Sequence, residues 1–234
     1  MNVDVLGKAV SEYHFNGRDL PLRVWIGDKE DELLYPSVFF RSRREMTQLE
    51  RTALLHCRGK ILDAGAGAGC HSLILQENNP DVTTLEFSKL MCEVMSKRGL
   101  KNVVCEDILE FQETGFDTIL LLMNGFGIAG REESLETFLS HLRDRLKVGG
   151  SIIGESTDVL YMYEQADHSA ALDLSKGYYG EVMFKLEWHD ETAIFPWLFV
   201  DEFLLEEACN NVGMTFEMLQ RGAKNNFLVK ITKF

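Results

Sequence analysis

The chain lacks paired cysteines, long apolar runs and an excess of basic charge, and each shortage removes a class of protein. Its five cysteines, Cys57, Cys70, Cys92, Cys105 and Cys209, are odd in number, scattered and without a C-x-x-C pair. Neither a disulfide framework nor a zinc site is suggested, so no metal is expected. The longest apolar run, Ile119 to Met123, has the length of a buried strand and falls far short of the ~20 residues that span a bilayer. The first ten residues include Asp4 and Lys8 and hold no apolar signal core. A cytoplasmic protein with no membrane partner is therefore expected. Lysine and arginine number 24 against 37 aspartates and glutamates, a formal net charge of −13. Such a surface repels a phosphate backbone, and no nucleic-acid partner is expected. Arg41, Arg43 and Arg44 form the one short basic cluster, closely followed by Glu45 and Glu50.

Internal repeats, low-complexity tracts and linkers are missing too, and 234 residues suit one domain. After 35 residues with no readable pattern, Thr47 to Glu50 forms a capping box, and Leu49, Ala53 and Leu54 keep helical spacing until Gly59. Strand and helix then alternate. Lys60–Ala64 reads as a strand, Cys70–Asn78 as a helix and Val82–Glu86 as a second strand. Ser88 caps a helix that runs to Gly99, and Asn102–Glu106 and Phe116–Met123 follow as strands. Leu135, Phe138, Leu139, Leu142 and Leu146 recur at helical spacing before Gly149-Gly150 turns the chain into a fifth strand, Ser151–Glu155. This rhythm predicts an α/β fold with a parallel sheet covered on both faces. Beyond Glu155 it breaks. Glu181–His189 alternates as a half-buried antiparallel strand with Phe195–Val200 as its hairpin partner, Asp201 caps a helix ending at Gly213, and Met214–Leu219 with Asn226–Lys233 closes the sheet as an antiparallel hairpin.

The chemistry centres on the loop Gly65-Ala66-Gly67-Ala68-Gly69, between a strand and a helix, where a ligand can approach bare backbone. Cys70 stands where the dinucleotide fingerprint needs its last glycine. Asp63, just before the loop, would repel a pyrophosphate but suits a ligand carrying an ammonium and a sulfonium. Glu86 ends the second strand, where a carboxylate can accept from both ribose hydroxyls.

These residues resemble the class I S-adenosylmethionine-dependent methyltransferases, whose signature loop is L-D-x-G-x-G-x-G, and the likeness extends from about Lys60 to Glu155. It implies a three-layer Rossmann-like sandwich with a mostly parallel seven-stranded sheet and a C-terminal antiparallel hairpin, here with an added β-hairpin insertion. It also implies S-adenosylmethionine as cofactor. Asp63, Gly65, Ala66, Gly67 and Gly69 would face its methionine part, and Glu86 its ribose, with Phe87 alongside. Asp107 would accept from the adenine amino group, with Ile108 packing near the ring, and Met123 and Asn124 would lie beside the methyl. Within a single domain, residues 1–59 would form a helical segment covering the site and 60–155 the cofactor-binding core. Residues 156–200 would form an insertion on the substrate side, and 201–234 the closing helix and hairpin.

The expected reaction is in-line methyl transfer to an N or O atom of a small molecule, the main partner expected. No N-P-P-[YF] sequence follows the fourth strand, so no nucleobase or amide signature is present. A base is needed only where the nucleophile must lose a proton, and His168, Tyr161 and Tyr163 are the candidates. Arg41, Tyr161, Tyr163, Tyr178 and Tyr179 are candidate substrate contacts. Each has a plainer reading: the tyrosines can simply cover the hairpin, Asp107 can cap the turn after it, and Arg41 can be solvated, as His141 is expected to be. Phe195 and Trp197 read as core or interface rather than an aromatic cage. A nicotinamide-dependent oxidoreductase and a catalytically silent methyltransferase-fold binding protein remain the alternatives in function.

Overall fold

Every residue of β3 (Ile61–Ala64) and β4 (Val82–Glu86) is buried, because a parallel strand with helices on both sides has no solvated face. The computed structural model describes residues 4–163 and 177–234. Ahead of these strands come α1 (Val5–Asn16), β1 (Arg23–Ile26), β2 (Lys29–Glu30) and α2 (Gln48–His56). Between and after them run α3 (Cys70–Gln76), α4 (Lys89–Lys97), β5 (Val103–Cys105), β6 (Phe116–Leu121), α5 (Glu132–Arg145) and β7 (Leu146–Thr157). The chain finishes with β8 (Glu181–Trp188), β9 (Glu191–Leu198), α6 (Glu202–Asn211), β10 (Met214–Arg221) and β11 (Asn226–Lys233).

Seven strands form the central sheet in the order β10-β11-β7-β6-β3-β4-β5. Strands β3 to β7 pair in parallel, and β11 joins β7 antiparallel. The Rossmann-like sandwich expected from the sequence is therefore present. The chain leaves β3 toward β4 on one side and later returns to β6 on the other. The carboxyl end of β3 is thus the topological switch point where open α/β sheets bind ligands.

Alternate residues face opposite layers. Leu62, Leu85, Ile119, Leu121, Ile152 and Val229 pack with Leu135, Phe138 and Leu139 of α5 and Leu205 of α6. Ile61, Leu120, Ile153 and Leu228 pack on the other face with Leu49, Ala53 and Leu54 of α2 and Leu75 of α3. Each fully buried side chain of this kind contributes roughly 1.5–3 kcal/mol.

Two features differ from the sequence reading. Gly149-Gly150 does not turn the chain into a strand but lies inside β7, which starts at Leu146 and shifts register against β6 between Phe116 and Thr118. The added hairpin is also not alone. β8 pairs with β1, giving a second antiparallel sheet, β2-β1-β8-β9, so the N-terminal segment contributes strands as well as helices.

Helix α1 packs Val5 and Ala9 against Leu186 and Ala193 of this second sheet, and Val10 against Met91 and Val94 of α4. Its cap, Asp4, accepts from the Gly7 amide (2.8 Å) and from the hydroxyl of Ser88 (2.5 Å), itself the cap of α4. The second sheet meets the core at a 3₁₀ turn after β6, Gly125–Ala129. Among the described residues no helix is long and apolar enough to cross a membrane.

A Cβ on Gly127 would fall 2.1 Å from Cε2 of Trp197 in β9. Gly127→Ala is therefore expected to push the hairpin off this turn and to destabilise the protein by about 1–3 kcal/mol, as read from chemical denaturation.

Candidate functional site

The loop after β3 turns sharply because Gly65, Gly67 and Gly69 all adopt left-handed backbone, with φ of 71°, 58° and 79°. The amides of Gly65 and Ala66 donate to the Leu85 carbonyl at 2.9 and 3.1 Å, which lashes the loop to the end of β4. There Glu86 adds a second tie. One carboxylate oxygen accepts from the Gly67 amide and the other from the Ser88 amide, both at 3.0 Å. A Cβ on Gly67 would come 3.2 Å from the ring of Phe39, and one on Gly65 3.5 Å from Ile128. The N-terminal 3₁₀ turn (Pro36–Phe40) therefore lies over the loop on one side and the post-β6 turn on another. Arg98 fixes the first of these, donating to the carbonyls of Phe39 (3.3 Å) and Ala68 (2.5 Å) with its guanidinium 4.4 Å over the Phe40 ring.

Burial sets the electrostatics here. It pushes the Glu86 carboxyl up to about 7, against the pull of the amide bonds and with some help from Asp4. It also raises the fully buried Asp63 carboxyl, which accepts from the Ser72 hydroxyl at 2.6 Å. Under Asp63 lies a chain of buried charges. Glu50 accepts from Arg41, from His71 Nε2 at 2.8 Å and from the Thr47 amide at 2.7 Å. Burial alone would raise the Glu50 carboxyl, but these donors hold it at about 2. Burial would likewise lower His71, yet hydrogen bonds to Cys70 and Glu50 and the charge of Asp63 raise it to about 10. His71 is therefore an imidazolium at neutral pH, paired with a carboxylate. Farther along the same sheet face, burial raises the carboxyl of Glu155, at the end of β7, which accepts from the Met123 amide (3.2 Å) and from Asn226 Nδ2 (2.9 Å).

The remaining expected residues divide. Phe87 stands 74% exposed beside Glu86, and Ile108 is buried in the core. Asp107 caps the turn after it, accepting from the Leu109 amide at 2.9 Å through Oδ1. Met123 and Asn124, at the end of β6, both have left-handed backbone. Tyr178 donates to Asp201 at 2.7 Å and Tyr179 to Asp158 at 2.9 Å, and burial raises both phenols. Tyr163 donates to the Tyr179 carbonyl at 2.8 Å, whereas Tyr161 is half exposed. His168 lies outside the described residues.

Arg41, expected to be solvated, is part-buried and paired with buried Glu50, and the part-exposed His141 also meets the Ile108 carbonyl at 2.7 Å. Glu50, His71, Ser72, Glu155 and Phe39 escaped the sequence reading. Two of them left a trace there, Glu50 as a capping residue and Glu155 as an acid ending a parallel strand like Glu86. A cavity of about 590 Å³ lined by Leu54, Cys57, Lys60, Ile61 and Asp117 opens at the opposite, amino-terminal edge of the sheet, away from all of these groups.

Residues 61–150 match the family model of a methyltransferase domain. A SAM-dependent methyltransferase from Bacteroides fragilis, crystallised in complex with S-adenosyl-L-homocysteine, is 34% identical. That match covers 98% of this chain and 94% of the other, with a TM-score of 0.91. The sugar N-methyltransferase KedS8 from Streptoalloteichus sp. is 17% identical over 88% of this chain and 95% of its own, with a TM-score of 0.57. The amino pentose methyltransferase CalS10 from Micromonospora echinaspora, with SAM bound, is 16% identical over 79% and 87%, with a TM-score of 0.56. Likeness at 16–17% identity is one of fold alone. No curated protein matches the chain.

The buried pair has a signature in stability. Glu50, held below its unfolded value, contributes above pH 4.5 and loses this contribution as pH falls toward 2. His71, raised above its unfolded value, contributes fully below pH 6.5 and loses this as pH rises toward 10. The melting temperature is expected to fall from pH 6.5 to 10, and His71→Gln to flatten that limb in thermal scans at a series of pH values.

Proposed function

The chain belongs to the S-adenosylmethionine-dependent methyltransferases, and from that premise we propose that it passes the cofactor's methyl group to a nitrogen or oxygen atom of a small molecule. Membership sets aside the nicotinamide-dependent oxidoreductase, and the catalytically silent methyltransferase-fold binding protein is the alternative that the labelling experiment below tests.

The residues present suit the cofactor. Gly65 offers exposed backbone, Gly67 lies buried under the Phe39 ring with its amide on Glu86, and an exposed Phe87 and a part-exposed Met123 stand beside buried carboxyls. Asp63 with Gly65, Ala66, Gly67 and Gly69 would hold the methionine end, and Glu86 the two ribose hydroxyls, with Phe87 at their side. Asp107 would take the adenine amino group on the oxygen its own turn leaves free, next to Ile108, and Met123 and Asn124 would border the methyl. The observation that carries this reading is the bond from the Gly67 amide to Glu86. It joins the glycine loop and the second-strand acid into one surface, and each Glu86 oxygen keeps a lone pair for a hydroxyl.

When bound, the cofactor supplies a methyl group on a positively charged sulfur, already activated for displacement. The chain's own residues align and shield. Phe39 and Ile128, against the loop, exclude water, and Asp63 and Glu86 favour a cationic ligand over a phosphorylated one. Within the single domain, residues 1–59 would cover the site, 60–155 hold the cofactor, 156–200 line the substrate side and 201–234 close the sheet. The contact of Phe39 with Gly67 supports the first of these roles and that of Trp197 with Gly127 the third. Arg41, Tyr161, Tyr163, Tyr178 and Tyr179 would reach the substrate. Because the hydroxyls of Tyr163, Tyr178 and Tyr179 are engaged, these three would contribute ring faces, which leaves Tyr161 and His168 of the three expected bases for a hydroxyl substrate. A surface of net charge −13 supports a small acceptor in a cytoplasmic setting over a polyanion.

Accepting from ribose hydroxyls requires the ionised Glu86, whose carboxyl titrates at about 7 before the ligand arrives. Affinity for S-adenosylhomocysteine is expected to rise with pH through 7 and then level off. Glu86→Gln should lose this dependence and bind about 10- to 100-fold more weakly, as read by calorimetry from pH 5.5 to 8.5. With radiolabelled cofactor and fractionated extract, label is expected in small molecules, and its retention in protein or RNA would overturn the substrate class.

A further inference from the structure

Of the five cysteines, Cys70, Cys92 and Cys209 are buried, Cys57 is half-buried and Cys105 alone is exposed. The proposed methyl transfer uses none of them, yet two converge beside Glu86. Cys105 is the last residue of β5, and its register partner on β4 is Glu86. Cys92 lies near the start of α4. Its thiol donates to the Glu86 carbonyl at 3.3 Å, and the Cys105 thiol lies 3.9 Å from the Phe87 carbonyl. A helix and a strand thus aim two sulfurs at consecutive carbonyls, and the two thiols meet there. Burial first, and then a hydrogen bond with Cys105, raise the Cys92 thiol. An accessible thiol with a sheltered one beside it is the arrangement in which the first can be oxidised and the second can resolve it.

We propose that Cys92 and Cys105 are a redox-modification site, which a low-molecular-weight disulfide such as oxidised glutathione converts to an intrachain disulfide that weakens cofactor binding. The effect on binding rests on the methyltransferase reading above. The Cys105 thiolate attacks one sulfur of the small disulfide, a Cys105–glutathione bond forms, and one glutathione leaves as its thiolate. The Cys92 sulfur then displaces the second glutathione from Cys105. The two protons lost by the cysteines end on the two released glutathione thiols, and the small disulfide takes up the two electrons. A raised thiol is a poor nucleophile toward reagents in solution, but Cys92 attacks a sulfur already beside it.

The new bond reaches the cofactor surface through the backbone. A disulfide sulfur has no proton to donate, so the Glu86 carbonyl loses its thiol donor and keeps the Glu106 amide at 3.1 Å. A sulfur–sulfur bond is also much shorter than a contact between thiols, so closing it draws the end of β5 toward α4. Asp107 follows Cys105 by two residues, and Glu86 and Phe87 carry the carbonyls that the thiols leave. The residues assigned to the adenine and the ribose are therefore those that shift.

The test treats the intact, reduced protein with oxidised glutathione, maps its disulfides by peptide mass spectrometry and measures S-adenosylhomocysteine affinity by calorimetry. The expected result is a Cys92–Cys105 cross-linked peptide with affinity about 10-fold below that of the reduced protein, restored by dithiothreitol. Cys105→Ser, at an exposed position, is expected to bind like the reduced wild type and to ignore oxidised glutathione. Cys92→Ser is expected to stop at the intermediate and keep glutathione on Cys105. A wild-type protein that gives no cross-link, or cross-links with unchanged affinity, would overturn the proposal, as would an equal loss of affinity in treated Cys105→Ser. Reduced wild-type protein that does not bind S-adenosylhomocysteine would overturn the methyltransferase reading and the effect on affinity with it, while the peptide map still decides whether the thiols pair.

Discussion

A buried carboxyl at the end of β4 tied to a bare amide at the end of β3 is the constraint on which the site depends. Glu86 can stay buried because the Gly67 and Ser88 amides meet its two oxygens, and Gly67 can point its amide there because its backbone is left-handed. The Ser88 amide opens α4, and the Ser88 hydroxyl reaches back to the cap of α1. One side chain thereby fixes the glycine loop, the start of a core helix and, through Asp4, the docking of the N-terminal helix. The raised Glu86 carboxyl is the cost of that placement. It leaves an acid near neutrality at the switch point of the sheet, where a small change in surroundings alters its charge.

The buried charges beneath the loop form a second layer. Arg41, Glu50, His71 and Asp63 come from the N-terminal segment, α2, α3 and β3, so they stitch to the sheet the parts of the chain that flank it. Breaking one partner of such a buried set leaves another charge uncompensated, which is far costlier than losing a surface pair. The covering turn at Pro36–Phe40 is followed directly by Arg41, so its seat on the glycine loop and the ion pairs below belong to one device.

The parts legible in the sequence were those whose signal is local. The strand before the glycine loop, the capping box at Thr47 and the alternation of β8 and β11 can each be read from a few adjacent residues. So can Asp63 and Glu86, since an acid at the end of a buried strand faces the ligand edge. What escaped depends on partners far away in the chain. β1 has four residues and β2 two, too short for a period, and β1 exists by pairing with β8 about 160 residues later. Glu50 was visible as a capping residue, but its bond to His71, 21 positions on, leaves no mark in the local pattern. The bonds of Tyr178 and Tyr179 to Asp201 and Asp158 likewise join residues distant in the chain and leave no local mark. Gly149-Gly150 read as a turn, whereas extended backbone at Gly150 admits it to β7, with the carbonyl of Phe116 2.9 Å from where a Cβ would stand.

A crystal structure of this protein with S-adenosylhomocysteine tests the account most directly. The account predicts both ribose hydroxyls within hydrogen-bonding distance of the Glu86 carboxylate, with the Gly67 amide still donating to it. A nucleoside bound elsewhere, for instance in the cavity beside Lys60 and Asp117 at the opposite edge, or a ribose that leaves Glu86 untouched, would contradict it.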